Sequence, residues 1–260
     1  MDCRVQNDAV IQLWDKLADF DAVKTDDACL YLMTRLADML AAKNVGWIGA
    51  VRTADDPCDP LRGWRIAQIK YLVDDPLNAV GIEELRRRWA KREVDPLSLR
   101  TLEGAGNQFR TLSIRQTMPS DWFEQSYYKT LFESRDVYDC IFALFPLSKD
   151  AECVFSVQAS SRRGAFTAED TALVAQIVRG MKWFHRRLML EHHLLVASTP
   201  LSPAERRTLT ELLTDASEKE IAARLGLSAN TVHQYAKSIY HKYGVRGRTG
   251  LMSLWLNRLG

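Results

Sequence analysis

A chain of 260 residues with 35 Lys and Arg against 33 Asp and Glu, a net charge of +2 and 47% hydrophobic residues has the balance of a folded globular protein, with room for two domains. The opening stretch MDCRVQNDAVIQLWDKLADF scatters acids through a segment with no long apolar core, so neither a secretory signal nor a membrane anchor is expected there. The five cysteines (3, 29, 58, 140 and 153) are odd in number and form no Cys-x-x-Cys pair, which predicts reduced thiols, a cytoplasmic location and no membrane partner.

In chain order, Asn7 to Phe20 carries Val10, Leu13, Trp14 and Leu17 at helical spacing, and Asp26 to Ala42 repeats the pattern with Leu30, Met33, Leu36, Ala37 and Leu40. Both are predicted amphipathic helices. Asn44-Val45-Gly46 is expected to break the chain before a strand at Trp47 to Arg52. A turn-rich loop, Asp55 to Gly63, precedes a second strand at Trp64 to Tyr71. The apolar runs Asp139 to Phe145 and Glu152 to Ala159 flank a Pro-Leu-Ser-Lys-Asp turn and should pair antiparallel, with Cys140 and Cys153 acting as small hydrophobes. Cys58 lies in the turn-rich loop, where redox sensing is a minor alternative to a plain reduced thiol. Helices leading into an antiparallel sheet make an α+β, sensor-like fold.

Six of the seven Trp precede residue 200, and Trp122-Phe123 with Tyr127-Tyr128 makes a dense aromatic patch. Most such residues in any protein are plain core. Aromatics with polar tips also line small-molecule pockets, and a pocket here is expected between the sheet and Trp89 to Phe132, touched by Trp47, Trp64, Tyr71, Trp89, Trp122 and Tyr127.

Thr167 should cap a helix, with Asp170 completing the capping box. From Thr167 to about Val196 the pattern allows one helix about 45 Å long at 1.5 Å per residue. Val174, Ile177, Met181, Phe184, Leu188 and Leu195 form a seam on it, suited to the sheet and to a second subunit, which predicts a homodimer. His185, His192 and His193 lack an acidic or Cys partner at ligand spacing, so a solvated basic face is expected rather than a metal site. No cofactor or metal is predicted. Residues 197–200 read as a linker because Pro200 and Pro203 discourage a continuous helix. That divides the chain into a sensor and dimerisation domain (1–196) and a C-terminal domain (201–260).

The C-terminal segment reads as three or four short helices. Gly226 can take the left-handed conformation that closes a helix from Lys219 to Leu225, and Ser228 can cap the next. Ile221, Ala222 and Leu225 on the first helix and Val232, Ala236 and Ile239 on the second share a core, which is the helix-turn-helix pattern. Thr231, His233, Gln234, Lys237 and His241 are left on a face able to bond phosphates or base edges; the bland alternative is a solvated polar face on a small bundle. From Leu201 onward nine Lys and Arg stand against five Asp and Glu, a net of +4, while the remainder carries −2. So modest a basic excess implies weak binding by a single copy and two copies on a two-fold site.

This segment resembles the DNA-binding domain of LuxR/FixJ/GerE-type regulators. The resemblance is carried by Leu201, Ser202, Glu205, Arg206, Leu209 and Leu212, by Ser217, Lys219, Glu220, Ile221, Ala222, Leu225, Ser228, Thr231 and Val232, and by Ser238, Ile239, Tyr240, Lys242, Gly244, Val245, Arg248 and Thr249. It implies an all-α four-helix helix-turn-helix domain whose His233, Gln234 and Lys237 contact bases of double-stranded DNA. Lys219, Thr231, Tyr235 and Arg248 would contact its backbone, and RNA polymerase would be a further partner. His233 stands where Lys is common and Tyr235 where His or Asn is common, so the base preference is this chain's own.

More loosely, Arg163-Gly-Ala-Phe-Thr-Ala-Glu-Asp before a helix resembles the end of GAF domains. The implied sensor is an α/β/α, GAF/PAS-like domain with an antiparallel sheet, an architecture related to the autoinducer domains of quorum-sensing receptors. Those receptors set Trp and Tyr ahead of an Asp-Pro pair. Trp64, Tyr71 and Asp75-Pro76, or Trp89 and Asp95-Pro96, offer the parts without the full spacing, which points away from a standard acyl-homoserine lactone.

An enzyme is not expected, since no nucleophile elbow, P-loop, zincin or dinucleotide fingerprint is present. A receiver domain would need an acidic pair at its first strand, whereas Asp55-Asp56 lies in a loop; a sigma-factor fragment would need an upstream promoter-melting region. The expected function is a transcriptional regulator in which a sensed small molecule or partner controls operator binding. The alternative is a ligand-independent regulator whose N-terminal domain serves dimerisation or protein contact.

Overall fold

The computed structural model describes residues 3–52, 57–192, 194 and 201–255, with side chains from 7 to 254. The chain divides into two compact units, Met1–Leu17 with Cys29–His185 and Ala18–Ala28 with Arg186–Gly260. The expected linker, residues 197–200, lies outside the described residues.

Two helices open the chain, α1 (Cys3–Ala18) and α2 (Thr25–Leu40). Asp26 and Asp27 complement the positive end of the α2 dipole, and Cys29, Leu32, Met33, Leu36 and Leu40 bury one continuous stripe. Strand β1 (Asn44–Arg52) begins three residues earlier than the expected break allowed. Gly46 pairs there with both Tyr71 and Ser156, and a Cβ would lie 2.7 Å from Ser156 Oγ. Its missing side chain is what admits close strand neighbours, so this glycine sits inside a strand instead of ending one.

After β2 (Trp64–Tyr71) the chain forms α3 (Pro76–Ala90) and α4 (Pro96–Leu102). Each starts at an Asp-Pro pair in which the aspartate caps the helix and proline takes the first turn: Asp75 accepts from Leu77 N at 2.9 Å and Asp95 from Leu97 N at 2.7 Å. The edge strand β3 (Arg110–Ser113), short helices α5 (Ile114–Thr117) and α6 (Ser126–Leu131), and the hairpin β4 (Asp139–Ser148) with β5 (Ala151–Ala159) follow. All pairings are antiparallel, in the order β2-β1-β5-β4-β3.

The single long helix expected after Thr167 is two: α7 (Ala168–Arg179), with the Thr167–Asp170 capping box in place, and α8 (Lys182–Glu191). The break falls at Gly180, where a Cβ would stand 2.4 Å from the Trp14 ring, so the indole occupies the space a continuing side chain would need. Trp14 Nε1 donates to the Ile177 carbonyl at 3.1 Å, binding α1 to the last turn of α7. Five of the seam residues, Val174, Ile177, Met181, Phe184 and Leu188, are buried within the chain itself, and Leu195 lies outside the described residues. Nor is His185 solvated. It is fully buried, stacks on Phe145 with ring centroids 4.4 Å apart, and donates from Nε2 to the Val178 carbonyl at 2.7 Å; burial pushes its pKa down to about 4, so the ring is neutral.

The second unit is helical: α9 (Pro203–Leu212), α10 (Glu218–Leu225), α11 (Ala229–Lys242) and α12 (Arg248–Trp255). Their common core includes Leu209, Leu212, Ile221, Val232, Ile239 and Leu251.

Replacing Gly180 with Ala should destabilise the protein by about 1–3 kcal/mol, the usual cost of forcing atoms into a filled core, because Trp14 must leave its hydrogen bond. Urea denaturation followed by tryptophan fluorescence measures it; an unchanged midpoint would show that Gly180 does not hold the break.

Candidate nucleic-acid interface and ligand cavity

The turn between α10 and α11 is built locally. Ser217 and Glu220 form a reciprocal capping box at the start of α10, and Gly226 closes that helix in the left-handed region at φ 66° and ψ 35°. Nothing lies within 4 Å of a Cβ built on Gly226, so its need is conformational and not steric. Ser228 then caps α11 by accepting from Thr231 N at 3.1 Å. Ile221 and Ala222 of α10 bury against Val232, Ala236 and Ile239 of α11, which forces the remaining positions of α11 outward.

Among those positions Asn230, Gln234, Lys237 and His241 are exposed, spaced four, three and four residues apart and so aligned on one stripe. Of the expected base contacts, Gln234 and Lys237 share this stripe. His233 is half-buried at its side, with Nδ1 3.2 Å from the Glu218 carboxylate on α10. Of the expected backbone contacts, Lys219 is exposed, Tyr235 is half-buried, and the Thr231 hydroxyl lies 2.8 Å from the Ser228 hydroxyl. Arg248 stands apart from the stripe. Its guanidinium donates to the carbonyls of Leu212 and Ala216, at 2.8 and 2.6 Å, and to that of Thr214, so it staples the end of α9 to the start of α12. Asn230 escaped the sequence reading, although its place one turn before Gln234 was available as a signal.

In the first unit the pleat sorts the sheet residues into two faces. Val45, Trp47, Ile141, Ala143, Cys153, Phe155 and Val157 lie on one, and α7 and α8 pack there, as the His185 contacts with Phe145 and Phe155 show. Ile48, Ala50, Cys140, Phe142, Leu144, Val154, Ser156 and Gln158 lie on the other and line a cavity of about 170 Å³ whose far wall comes from α3, α4 and α6. Of the six aromatic residues expected around a pocket, Trp64, Tyr71, Trp89 and Tyr127 line this cavity. Trp47 does not, because its parity puts it on the opposite face, where its indole N–H points at Cys153 Sγ at 2.8 Å. Trp122 does not either. It is buried among Phe123, Tyr128 and Phe132, and its indole donates to the Asp95 carboxylate at 3.1 Å. Burial raises the Asp95 pKa, partly offset by the bonds from Leu97 and Trp122.

Charged groups also reach the cavity. Glu152 is buried and accepts a two-pronged bond from Arg110 at 2.7 and 2.9 Å, together with Gly106 N at 2.8 Å. Arg65 pairs with Asp59 at 2.8 Å. Tyr71 is largely buried, which raises its pKa against the pull of the neighbouring Arg135. The Asp75-Pro76 and Asp95-Pro96 pairs serve as helix starts, and neither aspartate lines the cavity.

Residues 199–255 match the family described as bacterial regulatory proteins, luxR family (GerE). The C-terminal domain is a luxR-family helix-turn-helix module. A relative, the probable HTH-type transcriptional regulator GfsR of Streptomyces halstedii, is 41% identical over 63 residues, a match spanning 24% of this chain and 26% of that protein. Over longer spans the chain is similar to solved structures at low identity. SdiA in complex with octanoyl-rac-glycerol is 13% identical with a TM-score of 0.45, over 96% of this chain and 93% of that one. The crystal structure of Escherichia coli SdiA in the space group P6522 gives 13% and 0.45, over 95% of each chain. The VqsR LBD domain of Pseudomonas aeruginosa gives 17% and 0.48, over 70% of this chain and 97% of that one. No helix among the described residues is long and apolar enough to cross a membrane.

Within the luxR-family module one further residue organises the site. Glu205, in the first turn of α9, completes a capping box with Ser202 and accepts from Ser238 Oγ at 2.6 Å and Lys242 Nζ at 2.8 Å. It thereby joins the opening helix to the last turns of α11, the helix that carries the polar stripe. The S-x-x-E spacing announces the cap, but nothing local announces the partners 33 and 37 residues away. Burial alone would raise its pKa; the bonds from Lys242, Ser238 and Ser202 outweigh that and bring it from the ordinary 4.5 to about 2. A carboxylate with a depressed folded pKa stabilises fully above its unfolded value and loses that contribution as pH falls through the folded one. Glu205→Gln should therefore cost up to about 3 kcal/mol at pH 7, at 1.36 kcal/mol per pKa unit, and the gap to the parent should close between pH 4.5 and 2. Denaturant titrations across that range check both size and sign; a gap independent of pH would contradict the linkage.

Proposed function

We propose that the chain is a DNA-binding transcriptional regulator that acts as a homodimer and whose N-terminal unit binds a small molecule governing operator binding. The observation that carries this reading is the exposed stripe Gln234, Lys237 and His241 on α11 within a luxR-family module. An amide and an ammonium one turn apart match the edges of adenine and guanine in a major groove, each good pair contributing about 1–3 kcal/mol of discrimination. Lys219, Thr231 and Tyr235 flank the stripe as phosphate contacts, whereas Arg248 is engaged by three carbonyls of its own domain. A net +4 supplies too little attraction for one copy to bind tightly, which favours two copies on a two-fold operator. The cavity between the sheet and α3, α4 and α6 favours ligand control over a purely structural N-terminal unit.

Site selection from random duplexes with the full chain, followed by anisotropy titrations at several salt concentrations, tests this. Lys237→Ala should weaken the selected site by about 1–3 kcal/mol and relax preference at one base position. Lys219→Ala should weaken selected and random DNA alike and lower the salt slope by about 1. Equal specificity ratios in the two variants would refute the assignment, and no binding by the full chain at low salt would overturn the regulator reading.

A further inference from the structure

Three charged side chains line the cavity, Arg65, Arg135 and Glu152, and two of them have counter-charges: Arg65 with Asp59 and Glu152 with Arg110. Arg135 has none. Among the described residues no carboxylate lies within ion-pair distance of its guanidinium, whose partners are neutral: the Leu131 carbonyl, which accepts from Nε at 2.8 Å and from Nη2 as well, Asn78 Oδ1 at 3.1 Å from Nη1, and the Tyr71 hydroxyl. These bonds fix the group in place. It ends the 3-10 turn Glu133–Arg135, which Asp136 caps in the left-handed region at φ 51°, and it packs directly on α3 at Gly81, where a Cβ would lie 3.5 Å from its Cζ. A fixed, partly buried cation without a counter-ion is a costly arrangement unless something anionic completes it. The rest of the cavity lining is largely apolar, with aliphatic Ile48, Ile66, Ile69, Leu85 and Val154 beside the aromatic rings already named. A second donor lacks a partner in the same cavity. Trp89 Nε1 is buried with no acceptor among the described residues, and it lies eight residues, or about 12 Å, along α3 from Gly81.

We propose that the cavity takes an amphiphile bearing a carboxylate, the carboxylate lying on the Arg135 guanidinium and the alkyl body on the aliphatic walls, with Trp89 Nε1 available to an acceptor further along the chain. The Leu131 carbonyl and Asn78 occupy most of the guanidinium's N–H groups without neutralising it, so its remaining N–H and its charge suit a carboxylate and discriminate against neutral amides and esters of the same shape. At about 10–15 Å³ for each water-sized group, a cavity of about 170 Å³ holds on the order of ten such groups, the size of a medium-chain acid. This inference rests on the reading of the N-terminal unit as a ligand-binding one.

The probes are decanoate and decanamide, titrated calorimetrically into the full chain at pH 7.5. Decanoate should bind at least tenfold more tightly than decanamide, and Arg135→Met, which keeps apolar bulk and removes the charge, should bring the two within about twofold. Equal binding of both probes by the parent protein would overturn the carboxylate assignment while leaving a ligand cavity; binding of neither would overturn the cavity reading as well. Should Arg135→Met fail to fold, Trp89→Phe supplies the check. It should weaken an acid carrying a mid-chain keto group while leaving decanoate unchanged, and the reverse pattern would count against the proposed orientation.

Discussion

Every one of the nine residues of β5 is buried, so both faces of the sheet must be covered, and the pleat decides what each covering layer meets. On one side Cys153, Phe155 and Val157 meet helices whose apolar stripes were selected for a dry core. On the other, Val154 alternates with Glu152, Ser156 and Gln158, and such a face cannot close as a plain hydrophobic layer without leaving polar groups unsatisfied. Helices α3, α4 and α6 stand off from that face and leave a cavity. The two-residue period of one strand thus separates the structural half of the first unit from the half with room for a ligand.

The helical unit answers a different constraint, that of presenting a polar helix face while burying the other. Ile221, Ala222, Val232, Ala236 and Ile239 secure the buried face, and the left-handed Gly226 sets the turn between the helices. Glu205 and Arg248 add polar staples between elements far apart in sequence. Each satisfies helix-terminal groups, Glu205 at the start of α9 and Arg248 at the carbonyls at and beyond its end.

Legibility differed between the units for physical reasons. The helix-turn-helix is specified by contacts a few residues apart, so the Ser228 cap, turn glycine and apolar spacing read directly from the chain, and Gln234, Lys237 and His241 of the α11 stripe followed from which residues had to be inside, whereas Asn230 did not. The cavity depends on strand parity and on pairs such as Trp47 with Phe155 or Ser156 with Gly46, more than a hundred residues apart. Aromatic content alone could not distinguish Trp64, which faces the cavity, from Trp47, which faces away, or from Trp122, whose indole is taken up by Asp95. The break at Gly180 was equally hidden, since a periodic stretch with one glycine reads as a helix until Trp14 is seen in the gap.

By itself the sequence determined local devices: the Thr167–Asp170 capping box, the Ser228 cap, the left-handed turn at Gly226, and Gln234, Lys237 and His241 on the exposed face of α11. Those depend on backbone propensities and on partners within one or two turns. Only the tertiary structure decided that Glu205 reaches Ser238 and Lys242, that five of the six residues expected to form a dimer seam are buried within the chain, and that Arg135 stands in the cavity with no counter-charge among the described residues. Burial and the pairing of charges belong to neighbours that only folding brings together, and no spacing along the chain encodes which ionised group is left alone.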